Sequence, residues 1–484
     1  MKLPRLPVTA SLILVFLAGL SGCLMGPDYE KPAVPTPEQF RSQPVTAAES
    51  GSLADLQWWE IFQDRQLQAL IKTALEENKD LQLAVVRVDE ARAELGITRA
   101  AMLPSVQAGA SVTMTQIPGA NIPGIPPGSN LTTGIYSTSA ELSWEIDIWG
   151  RLRRATEGAR AQLLGTEEAR KAVVMGLISR VAQAYFELRG LDLELEITKR
   201  TLGSRQASLS LVKMRYEGGV SSALDLRRAE SEFATTASLI PDLERQVAQK
   251  ENALSILLGR NPGAVARGLA LTEQPLPPTV PAGLPSSLLE RRPDLREAEQ
   301  GLVAANAQIG VAKAAFFPQV SLTGDFGYMS RDMSNLFTGP ARMWGFGPGV
   351  TLPIFNAGRN QAQLEMTEAR QKEALIRYQQ AIQEAFREVD DTLIAYQKAR
   401  ETRLYQETLV TAATQALELA QLRYKNGVSS FLDVLDAQRQ LYNAEIGLAQ
   451  TRRAQLVAVV LLYKAVGGGW TEPGQPAPTK PTGS

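Results

Sequence analysis

Arg215-Tyr216-Glu217-Gly218-Gly219-Val220-Ser221-Ser222-Ala223-Leu224-Asp225-Leu226 returns 208 residues later as Arg423-Tyr424-Lys425-Asn426-Gly427-Val428-Ser429-Ser430-Phe431-Leu432-Asp433-Val434. Eight of the twelve positions are identical. Repeats of about 20–50 residues mark solenoids and propellers, so a period this long marks a duplicated architectural unit. Gly219 and Gly427 read as turn glycines. Each copy is predicted to be the tip of a helical hairpin.

Working outward from the tips, no proline occurs between Trp149-Gly150-Arg151 and Tyr216, and the stretch is rich in Ala, Leu, Glu, Arg and Gln. It predicts one helix of roughly 65 residues, about 100 Å long. A return helix runs from about Ser222 to Leu258, with Leu239, Leu243, Val247, Leu254 and Leu257 as an apolar stripe and Pro241 as a candidate kink. In the second copy Ala357-Gly358-Arg359 opens a proline-free run to Tyr424, and a return helix reaches Val466. The apolar stripes are broader than a two-per-heptad seam, so each helix is expected to touch two neighbours, as in a cylinder.

Upstream of each hairpin the apolar period changes. A helical segment opening at Trp58-Trp59 and running to about Ala101 is stopped by Pro104. Period-2 alternation follows: Val106, Ala108, Ala110, Val112 and Met114 on one side, Ser105, Gln107, Gly109, Ser111 and Thr113 on the other. A second strand sets Ala140, Leu142, Trp144, Ile146 and Ile148 against Ser139, Glu141, Ser143, Glu145 and Asp147. Three carboxylates on one face cannot be buried unpaired, so that face is expected to be wet. The second copy repeats the pattern. Val320, Leu322, Phe326 and Tyr328 alternate with Gln319, Ser321, Thr323 and Asp325, and a fourth strand carries Trp344, Phe346, Val350, Leu352 and Ile354 on one side.

Composition narrows the function. Lys plus Arg (50) balance Asp plus Glu (51), which leaves no net field to draw nucleic acid. Histidine is absent, which removes the commonest general base, the usual triads and most zinc sites. The expected reading is a non-enzyme with no metal. Glu141 and Glu145 are the nearest thing to a hydrolase's carboxylate pair, but a regular row on one strand face suits a wet lumen better.

Lys2 and Arg5 followed by the apolar stretch Val8 to Leu20 read as a secretory signal. Leu20-Ser21-Gly22-Cys23 resembles a bacterial lipobox, which makes Cys23, the single cysteine, the expected lipid attachment site and covalent lipid the only expected prosthetic group. No run of 18 apolar residues follows residue 23, so a membrane crossing requires a closed barrel. Alternation alone is equally compatible with a half-buried soluble sheet on a lipid-anchored scaffold. The lipobox and the wet carboxylate face favour the barrel. Four strands cannot close, since about eight is the lower limit. Two copies would give a side-chain-filled barrel and three an open bore.

With the lipobox, Gly26-Pro27-Asp28-Tyr29 and the two Arg-Tyr-x-x-Gly-Val-Ser-Ser tips, the chain resembles the TolC family of outer membrane factors, in the lipoprotein branch that serves resistance-nodulation-division (RND) efflux pumps. The resemblance covers essentially the whole mature chain. It implies a mainly α fold with β: a trimeric twelve-stranded outer-membrane barrel, four strands from each chain, continuous with a periplasmic helical barrel. It implies a homotrimer in the outer membrane of a diderm bacterium, a periplasmic membrane-fusion adaptor and an inner-membrane RND transporter. The implied function is a passive exit channel for drugs and other small amphiphiles, with the duct of a type I protein-secretion system as the alternative. Domain organisation follows as a signal peptide (1–22), a lipid-anchored tether (23–57), a first repeat (58–259), a connector (260–285), a second repeat (286–466) and a disordered tail (467–484).

The resemblance also implies site residues. Asp433 and Asp436 match the family's acidic constriction, Leu432 an apolar residue beside it, and Asp225 with Tyr424 a pair that ties adjacent hairpins shut. Arg215, Tyr216, Gly219, Val220, Ser221, Arg423, Gly427, Val428 and Ser429 form the tip turns and the adaptor contact. Ser429 stands where some members carry Arg, which puts a closure network built on that Arg in doubt. The first copy has Arg228 where the second has Asp436, a divergence expected if only one tip lines the bore.

Overall fold

The structure, a computed structural model, describes residues 24–37, 39–41, 53–118, 130–275 and 285–470. Cys23, the signal peptide and the tail beyond residue 470 lie outside them. The chain divides into two compact units, one made of residues 1–33, 87–166 and 297–378, the other of 34–86, 167–296 and 379–484.

The first unit holds a four-stranded antiparallel sheet in the order β1 (Ser105–Pro118), β2 (Asn130–Ile146), β3 (Gln319–Ser330), β4 (Arg342–Thr351). Register carries the alternation across all four strands. Ala108, Ala140, Phe326 and Trp344 fall in one row, and Val106, Leu142, Gly324 and Phe346 in another on the same face. On the opposite face Gln107, Glu141, Asp325 and Gly345 share a row. The apolar face is bare: Val112, Phe326, Trp344, Phe346 and Val350 are 51–73% exposed. Among the described residues neither β1 nor β4 has a partner on its outer edge.

Both ends of the sheet carry aromatic pairs. Tyr328 meets Phe337 edge-on at 5.6 Å at the loop end, and Trp149 stacks on Phe317 at 4.7 Å at the helix end, its indole donating to Pro318 O at 2.7 Å. Glu145 and Asp147 do not stay wet. Glu145 pairs with Arg151 at 2.6 Å, and Asp147 accepts the Leu152 and Arg153 amides at 3.0 and 2.9 Å, satisfying the donors that open the next helix. Leu352 and Ile354, expected in the fourth strand, lie beyond its end at Thr351.

The described residues 24–37 of the expected tether are extended and, from Met25 to Lys31, docked. Met25 N donates to Trp149 O, the buried Arg154 reaches Met25 O and Asp28, and Tyr29 and Lys31 both engage Glu299. Gly26, at φ +91°, lies so close to the helix Pro293–Ala314 that a Cβ would sit 2.5 Å from Gly310 Cα.

The helices are α1 (Trp58–Ile61), α2 (Arg65–Glu77), α3 (Lys79–Ala100), α4 (Arg151–Glu217), α5 (Ala223–Leu257), α6 (Leu288–Arg291), α7 (Pro293–Ala314), α8 (Arg359–Lys425) and α9 (Phe431–Ala465). The duplication is visible in the bounds. α8 and α9 begin and end 208 residues after α4 and α5, and each pair is 67 and 35 residues long. All four helices end in the same motif: a glycine at C′ with positive φ (Gly219, Gly259, Gly427, Gly467) and a 6→1 bond closing the turn, as from Val220 N to Arg215 O at 2.7 Å. Pro241 does not interrupt α5.

The segment read as one helix from Trp58 to Ala101 is three helices. Asp64 and Asn78 break it, each using its side chain to cap the helix that follows: Asp64 Oδ1 accepts Gln66 N and Asn78 Oδ1 accepts Leu81 N. The core of the second unit gathers Leu67, Ile71, Leu177, Tyr185, Leu188, Leu254, Leu288, Val389, Val460 and Tyr463 from both copies. Asp64 is 1% exposed and is the polar anchor of that core. Its carboxylate accepts from Tyr185 Oη at 2.7 Å, Gln274 Nε2 at 2.8 Å and Leu269 N at 2.9 Å. Burial pushes this carboxyl upward, but the bonds from Tyr185, Gln274 and the Gln66 and Leu67 amides outweigh it and hold it below its ordinary value. Gly467 to Trp470, placed in the tail expected to be disordered, are held to the second unit, and the Trp470 indole donates to Arg291 O at 3.1 Å; the rest of that tail lies outside the described residues.

Candidate functional site

The two hairpin tips lie in the second unit and pack on each other. Val212 and Ala229 of the first hairpin share a buried cluster with Tyr424, Phe431, Val434 and Leu435 of the second. The contact is made by unlike members of the repeated motif. Arg215 lays its guanidinium over the Tyr424 ring, 4.8 Å from the centroid, and Tyr424 is 8% exposed. Their counterparts Arg423 and Tyr216 are exposed. Tyr424 also packs on Phe431 at 5.3 Å.

Asp225 and Tyr424 are not hydrogen-bonded to each other. Tyr424 Oη lies 3.5 Å from Ser221 Oγ, and Asp225 binds its own helix cap, accepting from Ser222 Oγ at 2.7 Å while its amide donates back to that oxygen at 3.1 Å. The local capping bond wins because Ser222 is three residues away and already in helix-entry geometry, with φ −78° and ψ 153°. Ser429 Oγ is buried without a hydrogen-bond partner, as is Arg215 Nε.

On the second tip Leu432 is 49% exposed and Asp433 is exposed. Asp436, one turn on, is half-buried and engaged: Arg439 pairs with one carboxylate oxygen and Gln440 Nε2 donates to the other at 2.6 Å. Arg228 does not mark a face remote from Asp436. Both line one cavity of about 160 Å³, with Glu232, Leu435 and Arg439. The charge change between the copies places a cation beside an anion, which the pattern of substitutions alone could not show. Arg439 is the residue that sequence reasoning missed. Its three-residue spacing from Asp436 was the available signal. Val220 and Val428 are 69% and 65% exposed on the turns, so both copies present an apolar knob outward. Among the described residues no three His, Cys, Asp or Glu side chains are grouped to hold a metal ion.

Among the described residues the sheet is bare on its apolar face and open at both edges, so by itself it is an incomplete wall. The same wall occurs in known proteins. The sequence model described as outer membrane efflux protein matches residues 70–260 and 284–468. The chain belongs to the outer membrane efflux protein family. The cation efflux system protein CusC of Escherichia coli O6:H1 is 38% identical over 455 residues, covering 94% of this chain and 97% of that protein. The toluene efflux pump outer membrane protein TtgC of Pseudomonas putida is 39% identical over 458 residues, covering 94% of each. The open-state MtrE outer membrane channel of Neisseria gonorrhoeae superposes with a TM-score of 0.84 at 34% identity, covering 94% of this chain and all of that one. This chain is an outer-membrane efflux channel, and its four strands are an arc of barrel.

Proposed function

We propose that three copies close edge to edge into a twelve-stranded barrel and act as the passive exit duct of a tripartite pump. A periplasmic adaptor engages the hairpin tips, and an inner-membrane RND transporter supplies the energy. The observation that carries this reading is the sheet. Among the described residues its apolar side chains are exposed and its outer edges have no partner, so in a bilayer only closure with other copies satisfies the backbone. Eight strands from two copies would fill with side chains; twelve leave a bore. Catalysis has no part in it.

Lipid on Cys23 fits the docking of Leu24 to Lys31 against Trp149, Arg154 and Glu299, which holds the start of the mature chain at the helix end of the strands. The tips supply the gate. Three exposed Asp433 carboxylates form the inner acidic ring, with Leu432 beside it and Asp436 tempered by Arg439. Val220 and Val428 with the Ser221 and Ser429 turns, Gly219 and Gly427, are the adaptor surface. The cargo is small amphiphiles. Names of relatives do not decide this, since a cation pump and a toluene pump are equally similar to the chain. The test is gene deletion with susceptibility profiling against antibiotics, detergents, solvents and Cu and Ag ions, complemented by the intact gene. Hypersensitivity to amphiphiles restored by the gene is expected. Sensitivity to metal ions alone would overturn the substrate class.

A further inference from the structure

Inside one chain the repeated Arg-Tyr motif is used once, crosswise. Arg215 from the first copy covers Tyr424 from the second at 4.8 Å, and Leu211 lines the cavity beside Tyr424. The equivalents 208 residues away are left over. Arg423 is exposed, Tyr216 is 43% exposed, and Leu419, the counterpart of the half-buried Leu211, is 61% exposed. α4 with α5 and α8 with α9 have identical lengths and offset, so the second hairpin presents to its far side the same helical frame that the first presents to the second.

We propose that the seam between two copies reproduces the internal contact. Arg423 of one copy seats on the ring of Tyr216 of the next, and Leu419 fills the place that Leu211 holds inside the chain. The occupant is a second copy of this chain because the surface that fits Arg423 is one this chain already carries. The complementary half, Tyr216, is exposed at the matching turn of the first hairpin. A ring of copies then has one kind of tip contact, alternating within and between chains. A cation seated on a tyrosine face is attracted by the ring quadrupole, more strongly as water is excluded. This inference rests on the reading that copies close into a ring, and it assigns the residues that hold that ring together at its tips.

The test uses the full-length lipidated protein with two introduced thiols, treated with a short bismaleimide. Arg423→Cys with Tyr216→Cys is expected to give covalent dimers and trimers on a denaturing gel. Arg215→Cys with Tyr424→Cys is expected to keep monomer mass and to yield an intrachain cross-linked peptide, which calibrates the reagent's reach. If the internal pair reacts and the particle keeps its multi-copy native mass while the Arg423–Tyr216 pair stays monomeric, the seam assignment is wrong and the tips meet something else. A native mass of one chain would instead sink the ring itself. As a functional arm, Arg423→Ala and Tyr216→Ala should each raise resting leak several-fold, with the double variant no worse than either. Tyr216→Phe, which keeps the ring, should leak less than Tyr216→Ala, and equal leak from the two would count against the ring contact. Additive effects of the two alanine changes would contradict a direct contact.

Discussion

Substituting Asp433 by alanine should release divalent block of the channel. Asp433 is exposed and has no charged partner among the described residues, while Asp436 is already held by Arg439 and Gln440. In a ring of three copies the change removes three carboxylates around one axis. A divalent ion about 6 Å from each, in water-like dielectric and screened at physiological salt, loses roughly 2 kcal/mol of attraction, or on the order of 30-fold in affinity. Single-channel conductance in planar bilayers, titrated with Mg²⁺ from the tip side, reads this directly. The half-blocking concentration should rise by one to two orders of magnitude in Asp433→Ala. Arg439→Gln should move it the other way, because it frees Asp436 to join the ring. An unchanged half-block in Asp433→Ala, or weaker block in Arg439→Gln, would refute the assignment of the acidic ring.

Asp64→Ala removes a helix cap and orphans Tyr185, Gln274 and the Leu269 amide in the core, and should cost about 3–5 kcal/mol in denaturant unfolding. Because the folded carboxyl titrates below its ordinary value of 3.8, the stability it provides is present above that value and lost as pH falls through the folded value. Acid unfolding should therefore steepen there in the native protein and not in Asp64→Asn. Phe346→Arg places a charge on the bare apolar face and should cost about 2–4 kcal/mol if that face meets lipid, while Thr323→Arg on the opposite face should assemble and lower conductance, both read by membrane insertion and bilayer recording. Gly26→Val drives a side chain into Gly310 and should undock the residues after Cys23, read as faster limited proteolysis near residues 24–33 with conductance retained.

The duplicated frame was legible because it is written in features that need no tertiary context. Turn glycines, proline-free runs and a change of period mark the hairpins and strands within a few residues. What the sequence hid were choices made by buried polar groups. Asp64 and Asn78 break a continuous helical pattern with side-chain caps, and nothing in the local apolar spacing separates them from surface residues. Asp147 looks like one of three solvated carboxylates until the helix amides it caps are seen. At the tips the residue types were readable, but the pairing was not. Arg215 meets Tyr424, Asp225 turns back to Ser222, and Arg228 faces the cavity of Asp436, because packing of two hairpins decides among equally spaced partners.

The most direct test of the account is the native mass of the detergent-purified, lipidated particle that conducts in a bilayer. The account predicts a mass of three chains for the conducting species and no conductance from single chains. A conducting particle of one chain, or a stable single-chain species whose β1 and β4 edges are paired with each other, would contradict it.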